Sequence, residues 1–590
     1  MTKRTFRLYL IKPSHYDDDG YVIQWWRSPI PSNSLAAVYG LVRDCMARQV
    51  LGPDVQFDVQ VIDETNTEVH VGRIAAQLEA ADVGMVMLVG VQSNQFPRAL
   101  DIARPLRARG LQVGIGGFHV SGVISMLNGE DERFKEAQAL GISLFAGEAE
   151  GRLEAVLGDA YAGRLQPLYN FMNDLPGIED TPVPFLPANH VGKTAYNLTS
   201  FDAGRGCPYQ CSFCTIINVQ GRKSRRRSPD DVEKIVRDNL AQGVHRFFIT
   251  DDNFARNKDW EPILDRLIAM REGEKLDFNF IIQVDTLCHK IENFVEKCAR
   301  AGVKRVFIGL ENVNPANLMG AKKRQNKITE YRTMLLAWKA QHVITYAGYI
   351  LGFPGDTPER IAHDIAVIQR ELPVDLLEFF FLTPLPGSED HQRLHRSGVA
   401  MDADLNRYDL NHVTTAHPLM SRQQWEKVYA DAWLAYYTPA HVETIMRRAA
   451  VTGISTANIL LLVTWFVGSV TIEGVHPLEG GGVRRKYRHA RRPELGLESP
   501  LVFYPRYWGE TAGKLVAWAA LYLKFGMLLR RVDKDPAKAS YTDVALTPVS
   551  EQEEALEMFQ SSDAQAWLTQ EKRLERARHG ESAAVPAPPA

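Results

Sequence analysis

The chain has 590 residues, more than one ordinary core holds, so about three folding units of roughly 100–200 residues each are expected. Its 68 lysines and arginines nearly balance 71 aspartates and glutamates, and a net charge of -3 gives no reason to expect a polyanionic partner, which sets nucleic acid aside. Six cysteines over this length, three of them clustered, do not make a disulfide framework; they fit a reducing compartment, by default the cytoplasm, and a metal site.

Residues 6–11 are apolar but stop at Lys12 and Pro13 with no small-residue cleavage site, which predicts a first β-strand rather than a signal segment. Apolar runs at 57–62, 83–90, 112–116 and 143–146 then alternate with helical patterns. That alternation predicts an α/β fold, a parallel, doubly wound Rossmann-like domain over residues 1–165. Three of the strands run into small or polar residues: Ser93, Asn94 and Gln95; Gly116, Gly117 and His119; Gly147 and Glu148. Sheets of this kind bind ligands outside the carboxyl ends of their strands, so these segments are candidate contacts. Prolines at 167, 176, 182, 184 and 187 disfavour helix and central strand and mark residues 166–192 as a linker.

A second βα series occupies residues 193–400, with strands expected at 196–201, 246–250, 278–284, 305–310, 345–351 and 376–382. Six such strands predict a partial (β/α)6 barrel of the TIM type. Its helices are well punctuated, Ser228 capping ahead of Pro229 and Asp231 and Thr357 ahead of Pro358 and Glu359. Residues 401–570 read as mainly helical, and residues 571–590, closing on alanine and proline, as a disordered tail. No uninterrupted apolar run reaches the ~20 residues of a spanning helix, so no transmembrane segment is expected.

Directly after the first strand of the second series, Gly206-Cys207-Pro208-Tyr209-Gln210-Cys211-Ser212-Phe213-Cys214 puts three thiols on one loop. Structural zinc takes four protein ligands, and no fourth cysteine or histidine lies near in sequence. In a four-iron cubane three thiolates leave one iron open, and an open iron is a reaction site. A zinc knuckle completed from a distance, or a metal-free loop, is the bland alternative.

This loop resembles the Cys-x3-Cys-x2-Cys signature of the radical S-adenosylmethionine (SAM) superfamily, including the aromatic Phe213 before the last cysteine. The resemblance spans roughly residues 195–390. It implies a [4Fe-4S] cluster on Cys207, Cys211 and Cys214 that reductively cleaves SAM to a 5'-deoxyadenosyl radical. It also implies SAM contacts after successive strands: Asp251 and Asp252, whose carboxylates suit the methionine ammonium; Gln283 and Asp285; Glu311; and Gly352 with Phe353. Each carboxylate alone could equally cap a helix or pair with an arginine.

The N-terminal domain resembles the cobalamin-binding module fused to many of these enzymes, which makes Ser93, Asn94, Gln95, Gly116, Gly117, His119, Gly147 and Glu148 candidate cobalamin contacts. The Asp-x-His-x-x-Gly sequence that gives cobalt a histidine in the wider cobalamin family is absent. Two glycines before His119 point to close backbone approach rather than ligation. Methylthiotransferases would need further cysteines in this domain, and only Cys45 is there; like Cys298 it reads as a buried hydrophobe. Cys288 could face the barrel mouth but has no evident activating neighbour. The basic run Arg222, Lys223, Arg225, Arg226 and Arg227 reads as a solvated loop, with contact to an anionic substrate or cofactor phosphate as the alternative.

Apolar stretches at 458–472 and 512–532 are too short or too charged to span and read as a helical lid; residence in a membrane interface, basic ends toward anionic headgroups, is the alternative. Together these features predict a cobalamin-dependent radical SAM enzyme of the cytoplasm, alternatively peripheral at the inner face of the membrane. It would take electrons from a reductant such as flavodoxin or ferredoxin and methylate an unactivated carbon of a small-molecule or lipid-like substrate. Cyclisation, rearrangement or oxidation with the same cofactors is a second reading, and a non-enzymatic metal- or cobalamin-binding protein a third.

Overall fold

The structure is a computed structural model that describes residues 4–548, 556–560, 564–566 and 568–570; the tail expected over 571–590 lies outside the described residues. The first sheet holds β1 (Arg4–Lys12), β2 (Val55–Asp63), β3 (Val83–Leu88), β4 (Gln112–Gly116), β5 (Ser143–Ala146) and β6 (Leu168–Asn170). All pairs are parallel, in the order β2-β1-β3-β4-β5-β6. Apolar clusters on both faces explain why the strands read as runs rather than as alternation. Strand β6 falls where the linker was expected to begin. Pro167 needs no amide donor just ahead of an edge strand, and its carbonyl accepts from Leu144 N–H at 3.0 Å.

The second sheet holds β7 (Leu198–Phe201), β8 (Arg246–Ile249), β9 (Asn279–Val284), β10 (Val303–Glu311), β11 (Ile344–Leu351) and β12 (Leu376–Phe381). They pair in chain order, all parallel, with β7 and β12 left as edges, so the barrel is partial. The first crossover helix, α1 (Pro229–Leu240), starts at the anticipated cap: Ser228 Oγ accepts from Asp231 N–H at 3.1 Å, and the Asp231 carboxylate accepts from Ser228 N–H at 3.0 Å.

Four further helices, α2 (Arg422–Tyr436), α3 (Pro439–Val451), α4 (Thr456–Gly468) and α5 (Pro500–Lys534), close the open side. Trp425 and Trp433 of α2 and Ile445 of α3 lie in one cluster with Phe379 and Phe381 of β12, so barrel and helices share a core. Beyond α4 the chain returns to the N-terminal domain, where Arg484–Arg485 pairs antiparallel with Gln24–Trp25. Against the expectation drawn from uninterrupted runs, two helices are long and apolar enough to cross a membrane by length and composition. A helix averages over its windows and tolerates the scattered lysines that break a run. They differ in setting: 44% of the Thr456–Glu473 window is buried in the protein, against 11% for Pro500–Lys534.

Candidate active site

After β7 the chain passes through a two-residue clip, Gly204–Arg205 against Arg225–Arg226, into the cysteine loop. Gly206 has φ +88°, and a Cβ there would meet the Lys223 carbonyl oxygen at 2.5 Å, so the turn requires glycine. Within the loop Cys207 N–H donates to Gly221 O (3.2 Å), Ser212 N–H to Ala321 O (3.0 Å) and Cys214 N–H to Cys211 O (3.2 Å). Cys211 is buried and the other two are half-buried. Burial pushes the thiols of Cys207 and Cys214 up to about 11 and about 12, so a bound cation must drive thiolate formation. Gln325 Nε2 lies 3.5 Å from Cys211 Sγ. Lys323 pairs with Glu311 and sits 5.7 Å from the Phe213 ring centroid. Burial opposes its charge, but Glu311 and Cys211 overcome that and hold its pKa above the usual lysine value. Three thiols beside an amide donor and a fixed cation fit an anionic iron–sulfur cluster.

The strand-end carboxylates divide by environment. Asp251 accepts from Ala203 and Gly204 N–H (2.7 and 2.8 Å) and from Asn257 Nδ2 (3.0 Å); it braces the base of the cysteine loop. Asp285 is bridged by Arg256 at 2.6 and 2.9 Å and also accepts from Asn253 and Tyr209. Burial works against its charge, yet Arg256 keeps its pKa below the ordinary carboxylate value. Asp252 differs: half-buried, it faces a chamber of about 550 Å³ and, among the described residues, takes no side-chain hydrogen bond. Burial and the adjacent Asp251 push it up to about 7, the condition of a carboxyl that ionises when a cation arrives. Gln283 Nε2 reaches the Asp251 carbonyl at 3.5 Å. Gly352 and Phe353 N–H both donate to Asp356 at 2.9 Å, the Phe353 ring meets Phe213 edge-on at 6.5 Å, and Trp425 packs against Gly352.

On the N-terminal side, Ser93, Asn94 and Gln95 line the same 550 Å³ chamber as Thr250 and Asp252. Gly116, Gly117, Gly147 and Glu148 line an adjoining slot of about 170 Å³, walled by Val38, Leu41, Met85 and Val156 and sharing Asn33, Ser34, Gly90 and Phe118 with the chamber. Bare backbone on one wall and aliphatic side chains on the other suit a flat, largely apolar group. His119 reaches neither space. Its ring is fully buried against Phe96 (4.3 Å), Nδ1 lies 3.2 Å from Ser93 Oγ, and burial pulls its pKa down to about 4.

Arg222 and Lys223 are exposed, as the solvated-loop reading expects, but the three arginines after them are not. Arg225 bridges Glu148 (2.6 Å), Arg226 pairs with Asp259, and Arg227 is fully buried against the Asp202 carbonyl (2.9 Å). Arg205 joins Glu148, Glu150 and Asp202 at 2.7, 2.6 and 3.1 Å, so Glu148 ties the slot to the cysteine loop. Sequence reading missed Lys323, Gln325 and Arg205, and also His15, Asp409 and Glu479, whose ligating atoms lie within 4.8 Å of one another on the chamber wall. No local signal marks the last three, which come from distant parts of the chain. Cys45, Cys288 and Cys298 are buried, and Cys288 does not face the barrel mouth.

Residues 203–368 match the radical SAM superfamily. The barrel is therefore a radical SAM domain and the protein an enzyme of that class, which uses a [4Fe-4S] cluster and SAM. More particularly, the chain is similar to bacteriochlorophyllide d C-12(1)-methyltransferase of Chlorobaculum tepidum, 28% identical over 369 residues that cover 60% of this chain and 74% of that protein. It is also 24% identical to hopanoid C-2 methylase of Rhodopseudomonas palustris, over 45% of this chain and 49% of that one. Among solved structures it shares its fold with the radical SAM methyltransferase TsrM from Kitasatospora setae with cobalamin and a [4Fe-4S] cluster bound: TM-score 0.55, 14% identity, 78% of this chain and 98% of that one.

Proposed function

We propose that this enzyme is a cobalamin-dependent radical SAM C-methyltransferase. One observation carries the reading: the strand ends of two separate sheets, Thr250 and Asp252 from the barrel and Ser93 to Gln95 from the Rossmann-like domain, open on a single chamber. Two cofactor sites facing one space are what a reaction shared between two cofactors requires. When bound, the cluster and SAM supply the hydrogen-abstracting radical and cobalamin the methyl group.

The protein's own residues hold and orient. Cys207, Cys211 and Cys214 take the cluster. Asp252 takes the SAM ammonium, with Glu311, Gln283, Gly352 and Phe353 around the same bed and Asp251 and Asp285 as its braces. The slot behind Gly116, Gly117 and Gly147 takes the nucleotide tail of cobalamin. His15, Asp409 and Glu479, which also line the chamber, orient a polar end of the substrate. The reductant is a flavodoxin or ferredoxin, which places the enzyme on the cytoplasmic side.

Anaerobically reconstituted protein, given SAM, dithionite and cobalamin, should carry about four irons per chain, show a corrin spectrum and release 5'-deoxyadenosine; Cys211→Ala should not release it. Zinc in place of iron, with no SAM cleavage after reconstitution, would overturn the reading. A product without an added CH2 unit would move the assignment to cyclisation, rearrangement or oxidation.

A further inference from the structure

The outward face of helix α5 carries no charge over its first two thirds. Every exposed position from residue 501 to 523 is uncharged, among them Leu501, Val502, Trp508, Val516 and Leu523, a stripe about 33 Å long at 1.5 Å per residue. The charged residues of that span, Arg506, Glu510 and Lys514, lie off the stripe with side chains 38%, 38% and 27% exposed, and each is ion-paired. Arg506 pairs with Glu498 at 2.8 Å, and Lys514 pairs at 2.7 Å with Glu473, whose carboxylate also accepts from Trp518 Nε1–H at 3.0 Å. The inner face is anchored to the protein by Phe503, Phe525, Leu528 and Val532. Past residue 523 the exposed charges are Lys524, Arg530, Arg531, Asp533 and Lys534, four cations to one anion, with Arg531 paired to Glu443 at 3.1 Å.

We propose that this face docks the enzyme on an anionic lipid bilayer, α5 lying in the plane of the interface. An uncharged stripe with Tyr504, Trp508 and Tyr522 along it suits the headgroup–acyl boundary, and the cationic end suits anionic headgroups. A second copy fits less well. A two-fold pairing that ran the helices antiparallel would set Lys524 and Arg530 of one chain against the 501–508 end of the other, whose exposed positions are uncharged and whose one charged residue is Arg506. Among the described residues the carboxylates near that end are already paired, Glu498 with Arg506 and Arg491, Glu510 with Arg506 and Lys486, and Glu494 with Arg492.

Beside this face, meeting it at Leu515, lies a cleft of about 260 Å³ lined by Trp465, Trp518, Arg484 and the Lys514–Glu473 pair. Its inner wall, Gly481, packs against Trp25, which lines the reaction chamber. Docked this way, the cleft stands between the bilayer and the chamber with buried Trp25 as the partition, so the substrate class is an amphiphile held in the membrane, admitted if Trp25 moves. That second half rests on the chamber being the reaction site; the docking does not.

Full-length reconstituted protein is floated with vesicles of phosphatidylcholine alone and of phosphatidylcholine with phosphatidylglycerol. Wild type should float with the mixed vesicles, and Trp508 fluorescence should be quenched by brominated acyl chains. Val516→Glu/Leu523→Glu, at exposed positions, should lower binding by about tenfold or more while leaving 5'-deoxyadenosine release intact, which separates a docking failure from a failed enzyme. Lys524→Glu/Arg530→Glu should abolish the preference for the anionic vesicles. Absence of flotation with either vesicle overturns the proposal. So does a dimer in ultracentrifugation that Val516→Glu/Leu523→Glu splits, with no vesicle binding, since the face would then belong to a second copy.

Discussion

Replacing Asp252 by asparagine removes one charge and almost no volume from a carboxylate that faces the chamber without a side-chain partner among the described residues. If this group holds the SAM ammonium, a charge-assisted hydrogen bond of about 1.5–3 kcal/mol is at stake. At about 1.4 kcal/mol per factor of ten, Asp252→Asn should bind SAM roughly 10- to 100-fold more weakly. Anaerobic equilibrium dialysis measures this, with iron determined on the same samples so that a lost cluster is not mistaken for a lost contact. The pH dependence has a definite sign. Only the ionised carboxylate attracts the ammonium, and burial has pushed this one up to about 7, so wild-type affinity should fall as pH drops below about 7 while the variant stays flat. An unchanged Kd in Asp252→Asn with full iron content would refute the assignment.

Glu148→Gln removes a buried anion shared by Arg205 and Arg225; breaking such a pair costs about 3–5 kcal/mol. It should weaken cobalamin binding and lower iron content together, and a variant normal in both would show that the joint between slot and cysteine loop is inert. His412 lies between Asp409 (2.9 Å) and Asp18 (3.1 Å), which overcome burial and push it up to about 10. Because the folded value exceeds the unfolded one of about 6.5, its stabilisation is complete below that pH and lost as pH rises through about 10. The thermal midpoint of wild type should therefore fall between pH 7 and 10 more steeply than that of His412→Asn; equal slopes would remove the linkage. Glu378 is fully buried with neither oxygen bonded among the described residues, and burial alone pushes it up to about 8. A carboxyl raised in the folded state costs stability as pH climbs from about 4.5 to about 8. Glu378→Gln should raise the melting midpoint at pH 8 and scarcely move it at pH 5, and a drop at pH 8 would show that the carboxylate has a partner.

Much of the architecture could be read from neighbours along the chain. Strand runs, the Ser228 cap and the thiol spacing of residues 207–214 depend on contacts within about one turn or one loop, so the order of residues determined the two βα series and the chemistry of the cysteine loop. Strand β6 was missed because proline was read as a breaker without knowing that its neighbour sits at a sheet edge.

Which of the candidate side chains remain available to a ligand was decided only in three dimensions. Asp251, Asp252 and Asp285 look alike in sequence, yet Asn257 and backbone amides occupy the first, Arg256 occupies the third, and the second is left facing the chamber. The run at Arg225 to Arg227 resembles a solvated loop until Glu148, 77 positions away, is brought against it. His119 follows two glycines at a strand end, but its ring turns into the core against Phe96. The sequence by itself determined the class of chemistry, because a cluster loop and its strand order are local patterns. Tertiary structure alone decided which charges are spent and which are free, because desolvation and ion pairing depend on groups that meet only when the chain is folded.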